Sequence, residues 1–316
     1  MTKPATCGDS GSRERACECD QVEIEAIPPT EEHTVVTDAA IEATCTEAGL
    51  TEGSHCSACG NILVKQHAVD IKPHDLDENG VCTFCHDSFL VTEGVIYELS
   101  EDGSYASVVG YEGDDERIVI DNDYNGVPVK SIGDFAFEFS SLTSVVIPSS
   151  VTRIGDSAFA YCDALTAVEI PVGVTHIGND AFWGCGALLS VSIPNTVTVI
   201  GNDAFSECSS LVSVVIPDSV TSLGEYVFYR CSSLKSVVIG NGVKILGDCA
   251  FFYCKSLESV LLPAGLVLVK SEVFFGCSAL SDLYYGGSET DWSAINFDEG
   301  NDLPATVKIH FNCIFE

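Results

Sequence analysis

The stretch that decides the fold begins at Leu142 and reads LTSVVIPSSVTRIGDSAFAYCDA. The next 23 residues, from Leu165, read LTAVEIPVGVTHIGNDAFWGCGA and keep the same apolar, proline, glycine and aromatic positions. Five further copies, the last one partial, begin at the equivalent leucines: Leu188, Leu211, Leu234, Leu257 and Leu280. A fixed period of this length is typical of a solenoid in which each repeat forms one coil.

The residue types within one repeat predict its local structure. In L-x-x-V-x-I-P the valine and isoleucine are two positions apart, so they share one face of a short strand. The proline ends that strand because it cannot donate a ladder hydrogen bond. V-T-x-I-G predicts a second short extended segment with a turn at glycine, and A-F-x-x-C predicts a tight helical turn. Stacked coils would hold parallel strands about 4.8 Å apart.

These L-x-x-V-x-I-P, V-T-x-I-G and A-F-x-x-C elements resemble the Treponema-type, or BspA-like, leucine-rich repeat. Residues 95–137 resemble the coil that opens such solenoids, and residues 283–312 resemble their C-terminal cap. The chain departs from the family pattern at Gly240, where a proline is expected, and near residues 138–141, where one residue is missing and Phe139 stands near the cysteine position. The resemblance implies a mainly β, right-handed leucine-rich-repeat solenoid of 23-residue coils with short parallel strands and short helical turns.

We divide the chain into four parts. Residues 1–90 form a Cys/His-rich segment of low regular structure, and residues 91–141 form the N-terminal opening coil. Residues 142–279 hold six 23-residue repeats, and residues 280–316 form the C-terminal cap.

The charge and the apolar runs exclude several classes of function. The net charge of −33 repels nucleic-acid phosphates and anionic lipid surfaces. No apolar run approaches the roughly 20 residues of a membrane helix, so we expect no membrane insertion. The first residues, MTKPATCGDS, contain no apolar signal-peptide core. The chain is therefore either cytoplasmic or a fragment of a longer exported protein. We favour an extracellular or cell-surface location, since relatives of this type should be exported.

Six cysteines recur at the repeat spacing: Cys162, Cys185, Cys208, Cys231, Cys254 and Cys277. Redox or metal chemistry would need exposed thiolates. The alternative, which we favour, is that small buried thiols fill one corner of each coil.

Residues 1–86 contain two imperfect copies of a pattern with three cysteines and one histidine, a set that suits tetrahedral zinc. The predicted ligands are Cys7, Cys17, Cys19 and His33 in the first copy, and Cys45, Cys56, Cys59 and His74 in the second. Four protein ligands would make the zinc structural. The segment is similar to small Cys/His repeats that precede such solenoids in some bacterial surface proteins. Disulfides in an exported chain and free thiols in a linker remain alternatives. No other cofactor is expected.

Two sets of outward residues are predicted as binding surfaces. The first is an apolar column on the main strands: Val215, Val238, Leu261 and Tyr284. The second follows the core phenylalanines and is interrupted by Ala160 and Ser206: Trp183, Tyr229, Phe252 and Phe275. Exposed apolar stripes and aromatic residues are common at interfaces. The alternatives are plain β-propensity for the first set and aromatic wedging between coils for the second.

No catalytic signature is present: we find no G-x-S-x-G, H-E-x-x-H, P-loop or G-x-G-x-x-G motif. We therefore expect a non-enzymatic protein-interaction or adhesion module of a bacterial surface or secreted protein, acting as a monomer on host or cell-surface proteins. Two alternatives are a structural-zinc interaction module at the N-terminus with the solenoid as a spacer, and a purely structural cell-wall spacer.

Overall fold

In this computed structural model, the described residues are 92–301, 303 and 306–313, together with residues 2–3, 11–16, 22–27, 35–40, 49–50, 53–56, 62–64 and 68–69. The chain forms two compact units, Met1–Leu90 and Val91–Glu316.

The described part of the first unit consists of short antiparallel strands. They are β1 (Thr2–Lys3), β2 (Gly11–Ala16), β3 (Val22–Ile27), β4 (Val35–Asp38), β5 (Gly49–Leu50), β6 (Gly53–Cys56), β7 (Ile62–Val64) and β8 (Ala68–Val69). They pair in three groups, in the orders β1-β2-β3, β4-β6-β7 and β5-β8.

The second unit opens with five strands that start the stack of coils. They are β9 (Val95–Leu99), β10 (Ala106–Tyr111), β11 (Arg117–Val119), β12 (Asp123–Tyr124) and β13 (Val127–Ile132). The β9–β10 pair is antiparallel, and β10 then pairs with β13 in parallel. The antiparallel hairpin therefore covers one end of the parallel ladder that follows.

Each coil adds one strand to each of two sides of the solenoid. The main side holds β14 (Ser144–Val146), β16 (Ala167–Glu169), β18 (Ser190–Ser192), β20 (Ser213–Ile216), β22 (Ser236–Ile239), β24 (Ser259–Leu262) and β26 (Asp282–Tyr285). The second side holds β15 (Arg153–Ile154), β17 (His176–Ile177), β19 (Val199–Ile200), β21 (Ser222–Leu223), β23 (Ile245–Leu246) and β25 (Leu268–Val269). The cap adds α1 (Glu289–Trp292), β27 (Asn296–Phe297) and β28 (Lys308–His310). From β15 to β26, paired strands are parallel and pair residues 23 positions apart, as Val214 does with Val237. This register confirms the predicted mainly β solenoid of stacked coils.

The third side of each coil, which contains A-F-x-x-C, is a series of turns rather than the helical turn expected from the sequence. Ser157 and Tyr161 have positive φ angles of 52° and 57°. This backbone aims alternate amides at the next coil: Ser157 donates to the carbonyl of Asn179 and Phe159 to that of Ala181, both at 2.8 Å. The hydrogen bonds that an α-helix would form within the segment are thus partly replaced by bonds between coils.

The core of the solenoid is built from columns of identical residues. Ring centroids of successive core phenylalanines lie 5.2–5.9 Å apart from Phe137 to Phe274. Burial of each ring contributes about 1.5–3 kcal/mol. The six periodic cysteines are buried as expected, and each thiol also donates to a phenylalanine carbonyl of the preceding coil. Cys208, for example, donates to Phe182 at 3.2 Å.

The irregular repeat near residue 140 is aligned differently from the sequence interpretation. Phe137 stacks on Phe159, and the hydroxyl of Ser140 lies 3.2 Å from the thiol of Cys162. Ser140 therefore occupies the cysteine position, and the missing residue falls between Ser140 and Leu142. Phe139, expected near that position, instead lies outside the core against Tyr161.

Candidate functional site: the outer faces of the solenoid

The predicted apolar column forms a continuous row on the main side. Val215 pairs with Val238 and Val238 with Leu261 across β20, β22 and β24, and Leu261 pairs with Tyr284 in β26. The side chains between them point inward, since Val214 and Ile216 are buried while Val215 is 57% exposed. Tyr284 is 36% exposed, and Val238 and Leu261 are half-buried. We call Val215, Val238, Leu261 and Tyr284 the apolar row.

The apolar row begins where the main side becomes a continuous five-stranded sheet, in the order β20-β22-β24-β26-β28. The column beside it is formed by Ser213, Ser236, Ser259 and Asp282, which are paired in register. Three of these four side chains are small, so they leave the apolar row accessible from one flank. The same sheet position in the two preceding coils is polar, with Glu169 and Ser192.

The cap extends the row with residues that the sequence interpretation missed. Strand β28 places Lys308 beside Asp282 and His310 beside Tyr284. The His310 ring stacks on Tyr284 at a centroid distance of 4.7 Å, and its Nε2 lies 2.8 Å from Oδ1 of Asp282. This hydrogen bond is the main cause that lowers the pKa of Asp282. The cap lacks the 23-residue pattern, so no spacing in the sequence indicated these neighbours.

Two exposed apolar residues before the strands were also missed. Leu189 and Val212 follow the first leucine of their repeats, where other copies carry Thr166, Lys235 or Glu258. The change from polar to apolar at that position was the available signal. Both residues are exposed and precede the main-side strands of consecutive coils, and Val212 directly precedes β20, the first strand of the apolar row.

The second predicted set does not form a single stripe. Tyr229 stacks on Phe252 at 5.2 Å, and Phe252 stacks on Phe275 at 5.1 Å. Trp183 lies two coils before Tyr229, and the coil between them carries Ser206, which is buried. Trp183 instead packs against Tyr161, with centroids 4.8 Å apart. The aromatic residues therefore form two separate groups.

Burial makes the periodic cysteines poor candidates for redox or metal chemistry. It raises the pKa of the Cys277 thiol to about 12 and that of Cys185 well above its usual value. Both thiols stay protonated at neutral pH, whereas thiolates are the reactive and metal-binding form. In the described part of the chain, no group of three or more His, Cys, Asp or Glu residues is placed to hold a metal ion.

Seven of the eight predicted zinc ligands lie outside the described residues: Cys7, Cys17, Cys19, His33, Cys45, Cys59 and His74. Cys56 ends strand β6, but its side chain is not described.

A shallow hollow of about 210 Å³ on the second side contains the ionisable groups Asp156, His176 and Arg153. The carboxylate of Asp156 accepts hydrogen bonds from the amide of Asn179 at 2.9 Å and from its side chain at 3.3 Å. His176 Nδ1 lies 2.8 Å from the hydroxyl of Thr175. The Asp156 carboxylate thus helps to hold successive coils together, whereas His176 bonds to a residue of its own coil.

Comparison with known families agrees with this architecture. A model of the BspA type leucine rich repeat region matches residues 130–211 and 175–303, with six copies. The chain belongs to the BspA-type leucine-rich repeat family. The match begins at residue 130, so it gives no support to the similarity noted for the Cys/His segment. BspA-type repeats suggest a protein-interaction module, and members of the family are typically non-catalytic.

Two solved structures are similar to this BspA-type chain. The leucine-rich repeat protein TpLRR of T. pallidum is 34% identical, with a TM-score of 0.57 over 60% of this chain and 90% of that chain. A leucine-rich repeat protein from Bacteroides ovatus ATCC 8483 is 23% identical, with a TM-score of 0.51 over 72% of this chain and 79% of that chain. The second likeness shows the fold alone. A search of curated proteins gave no match. Among the described residues, no helix is long and apolar enough to cross a bilayer.

Proposed function

We propose that this BspA-type solenoid binds a partner protein through the outward face of its five-stranded sheet, with the apolar row at the centre of the contact. The observation that carries the proposal is the in-register row from Val215 to Tyr284, exposed on one face of a sheet whose other face is the core. An apolar row on a rigid sheet can desolvate against a partner with little loss of conformational entropy.

The chemistry of the surrounding surface fits a protein contact. The small Ser213, Ser236 and Ser259 side chains let a partner approach the sheet, and Lys308 and Asp282 provide charged groups at one end. An apolar centre with a polar rim is the usual anatomy of protein interfaces.

We further propose that this contact takes place outside a bacterial cell, on a surface or secreted protein that uses it for adhesion or for binding host proteins. Support comes from the family, whose members are cell-surface proteins, and from the similarity to the leucine-rich repeat protein TpLRR of T. pallidum, which is 34% identical. The lack of catalytic motifs in the sequence supports a role without catalysis.

The test uses a partner captured by the full chain from host extracellular protein and then purified. We replace Val215, Val238 and Leu261 together with serine and measure the Kd by calorimetry or biolayer interferometry. We expect at least a tenfold weaker Kd, since exposed apolar contact area is lost. Val172 and Val267, 75% and 56% exposed and outside the main strands, provide the matched control when both are changed to serine. Equal affinity of the two variants would overturn the proposal.

The Cys/His segment carries a separate proposal, a structural zinc bound by the eight predicted ligands. Its support is the repeated set of three cysteines and one histidine in residues 7–33 and 45–74. Elemental analysis of the full chain, purified without chelator, should give one to two zinc ions per chain. Replacing Cys56 and Cys59 with serine should lower that number, whereas replacing the core residue Cys208 should not. Less than one zinc per chain, with all N-terminal thiols reactive, would contradict it.

A further inference from the structure

The turn side of the solenoid carries the same aromatic arrangement twice. Tyr161 packs against Trp183 of the next coil, with ring centroids 4.8 Å apart and ring planes tilted by 49°. Tyr253 packs against Phe275 of its next coil in a similar way, at 5.8 Å and 52°. Glycine allows this packing, since a Cβ atom on Gly184 would lie 2.7 Å from the Tyr161 ring. Because the rings are arranged alike, the two groups can be compared by the charges around them.

In the second group the chain supplies its own cations to the rings. The Arg230 guanidinium lies 5.1 Å from the Tyr229 ring centroid, and the Lys255 ammonium lies 5.6 Å from that of Tyr253. A cation above an aromatic ring is attracted by the negative charge of the ring face. The rings of the second group are therefore already paired with cations of the same chain.

The first group has no such cation. Phe139, Tyr161 and Trp183, which we call the aromatic triad, lie on the turn side of three successive coils. The turn-side segments of these coils and of the next one contain no lysine or arginine: residues 133–140, 155–163, 178–186 and 201–209. Two positions after the tyrosine, where the second group has Lys255, the first group has Asp163. The triad therefore offers rings that attract a cation, with a carboxylate where the second group has its own lysine.

The carboxylates near the triad are free to meet a cation. Desolvation raises the pKa of the Tyr161 hydroxyl, and the charges of four carboxylates raise it further: Glu207, Asp180, Glu138 and Asp163. Glu207 belongs to a different contact, because it lies 3.9 Å from Arg230. The other three form neither an ion pair nor a side-chain hydrogen bond with any described residue. The unpaired charge around the triad is therefore negative.

The outer rings of the triad are accessible and held in place. Phe139 is 69% exposed, and Trp183 is partly exposed. Among the described aromatic rings, each of them contacts Tyr161 alone, so its opposite face is not covered by another ring. Phe139 and Tyr161 have positive φ angles, and their amides donate to the carbonyls of Ala160 and Trp183 in the next coil. Rings fixed in this way lose little conformational entropy when a ligand binds.

We propose that the aromatic triad binds a basic segment of a partner protein, with arginine or lysine side chains against the outer rings and their charges facing Glu138, Asp163 and Asp180. A guanidinium stacks flat on an aromatic ring and pairs with carboxylates, so arginine is preferred to lysine. The outer rings are two coils apart, about 10 Å, which is wider than one guanidinium group. A segment with more than one basic side chain can therefore use both rings.

This site goes beyond the contact proposed for the apolar row. The triad lies on the turn side of the early coils, whereas the apolar row lies on the main side from β20 onward. Binding of a basic segment at the triad therefore leaves the apolar row free.

The test measures the Kd of the full chain for an immobilised tetra-arginine peptide by biolayer interferometry at 0.15 M salt. A tetra-citrulline peptide keeps the shape of the side chains without their charge, and it should bind about tenfold more weakly or worse. Phe139→Leu removes one ring face and keeps an exposed apolar side chain, so it should weaken the Kd about threefold. Glu138→Gln combined with Asp163→Asn should weaken it about fivefold or more.

The controls separate the triad from the overall charge of the chain, which is −33. Glu98→Gln with Glu101→Gln removes the same charge from exposed positions in strand β9 and in the turn after it. Phe275→Leu removes an exposed ring from the second group. Both controls should change the Kd less than about twofold, because neither touches the triad. Circular dichroism of every variant checks that the solenoid is folded.

Three results would overturn the proposal. They are equal binding of the citrulline peptide, equal losses for the two charge-neutralised pairs, and an unchanged Kd for Phe139→Leu. The serine variants of the apolar row should bind tetra-arginine as tightly as the natural chain does. Failure at the triad can therefore be distinguished from failure of the contact proposed for the apolar row.

Discussion

Replacing Phe205 with alanine removes one ring from the middle of the phenylalanine column. Phe205 is fully buried, and its ring lies 5.3 Å from that of Phe182 and 5.7 Å from that of Phe228. Loss of a buried phenylalanine costs about 3–5 kcal/mol in total, a range that already includes the lost contacts with the two neighbouring rings. Because coils contact only their neighbours, two interfaces weaken and the rest stay intact.

The assay is urea unfolding followed by tryptophan fluorescence. The only tryptophans, Trp183 and Trp292, lie on opposite sides of Phe205 in the chain, and a Trp292→Phe background isolates the nearer one. If the free energy of unfolding falls by about 2 kcal/mol for each molar increase in urea, the urea concentration at the midpoint should fall by about 2 M. Phe139→Ala is the matched control, since this exposed ring makes one stacking contact with Tyr161, and it should cost about 1 kcal/mol or less. Equal losses for the two variants would refute the stacked core as the main source of stability.

Three further predictions address local features. Cys208 should resist iodoacetamide in the folded chain, while the partly exposed Cys313 reacts, as site-resolved mass spectrometry would show. Burial raises the pKa of Asp203 to about 6, so the folded state binds this proton more tightly than the unfolded state, and stability should fall as pH rises from about 4 to 6. Asp203→Asn should flatten this slope and raise the free energy of unfolding at pH 7 by about 1 kcal/mol or less, because the carboxyl is partly exposed. Gly184→Ala should lower the melting temperature through a ring clash and a positive φ angle, whereas Gly186→Ala, with no contact closer than 3.8 Å, should have little effect.

The repeat made the coils and the inward residues predictable. Its 23-residue period aligns identical side chains in successive coils, so Phe205 and Cys208 could be placed in the core without further information. The outward direction of Val215 followed from strand alternation alone. These features depend on the 23-residue period and on the alternation of side chains along a strand, and both can be read from a single sequence.

The turn side was less predictable because its backbone is set by bonds between coils. Residues with positive φ include Tyr161, Arg230 and Cys249, types that give no sign of that conformation. Their amides donate to the next coil, as Tyr161 does to Trp183 and Arg230 does to Phe252. The spacing of phenylalanine and cysteine therefore favoured a helical turn. In the structure, hydrogen bonds to the next coil take the place of that turn.

The side-chain contacts on the outer faces depend on residues that the repeat pattern does not include. Trp183 was grouped with Tyr229, but its ring contact is decided by Tyr161, one position further along the coil. His310 lies in the cap and reaches Tyr284 only because β28 pairs with β26. Such contacts depend on which side chains lie next to each other in the folded coils, and the spacing of residues in the sequence does not indicate them.

The proposed contact between the apolar row and a partner protein can be tested at a single residue. A photo-crosslinking amino acid placed at Val238, at the middle of the row, tests it most directly when compared with the same replacement at Val267, which is exposed outside the main strands. If the apolar row forms the contact, the purified partner should be crosslinked from position 238 and not from position 267. Crosslinking from position 267 with none from position 238, under conditions where the complex forms, would contradict it.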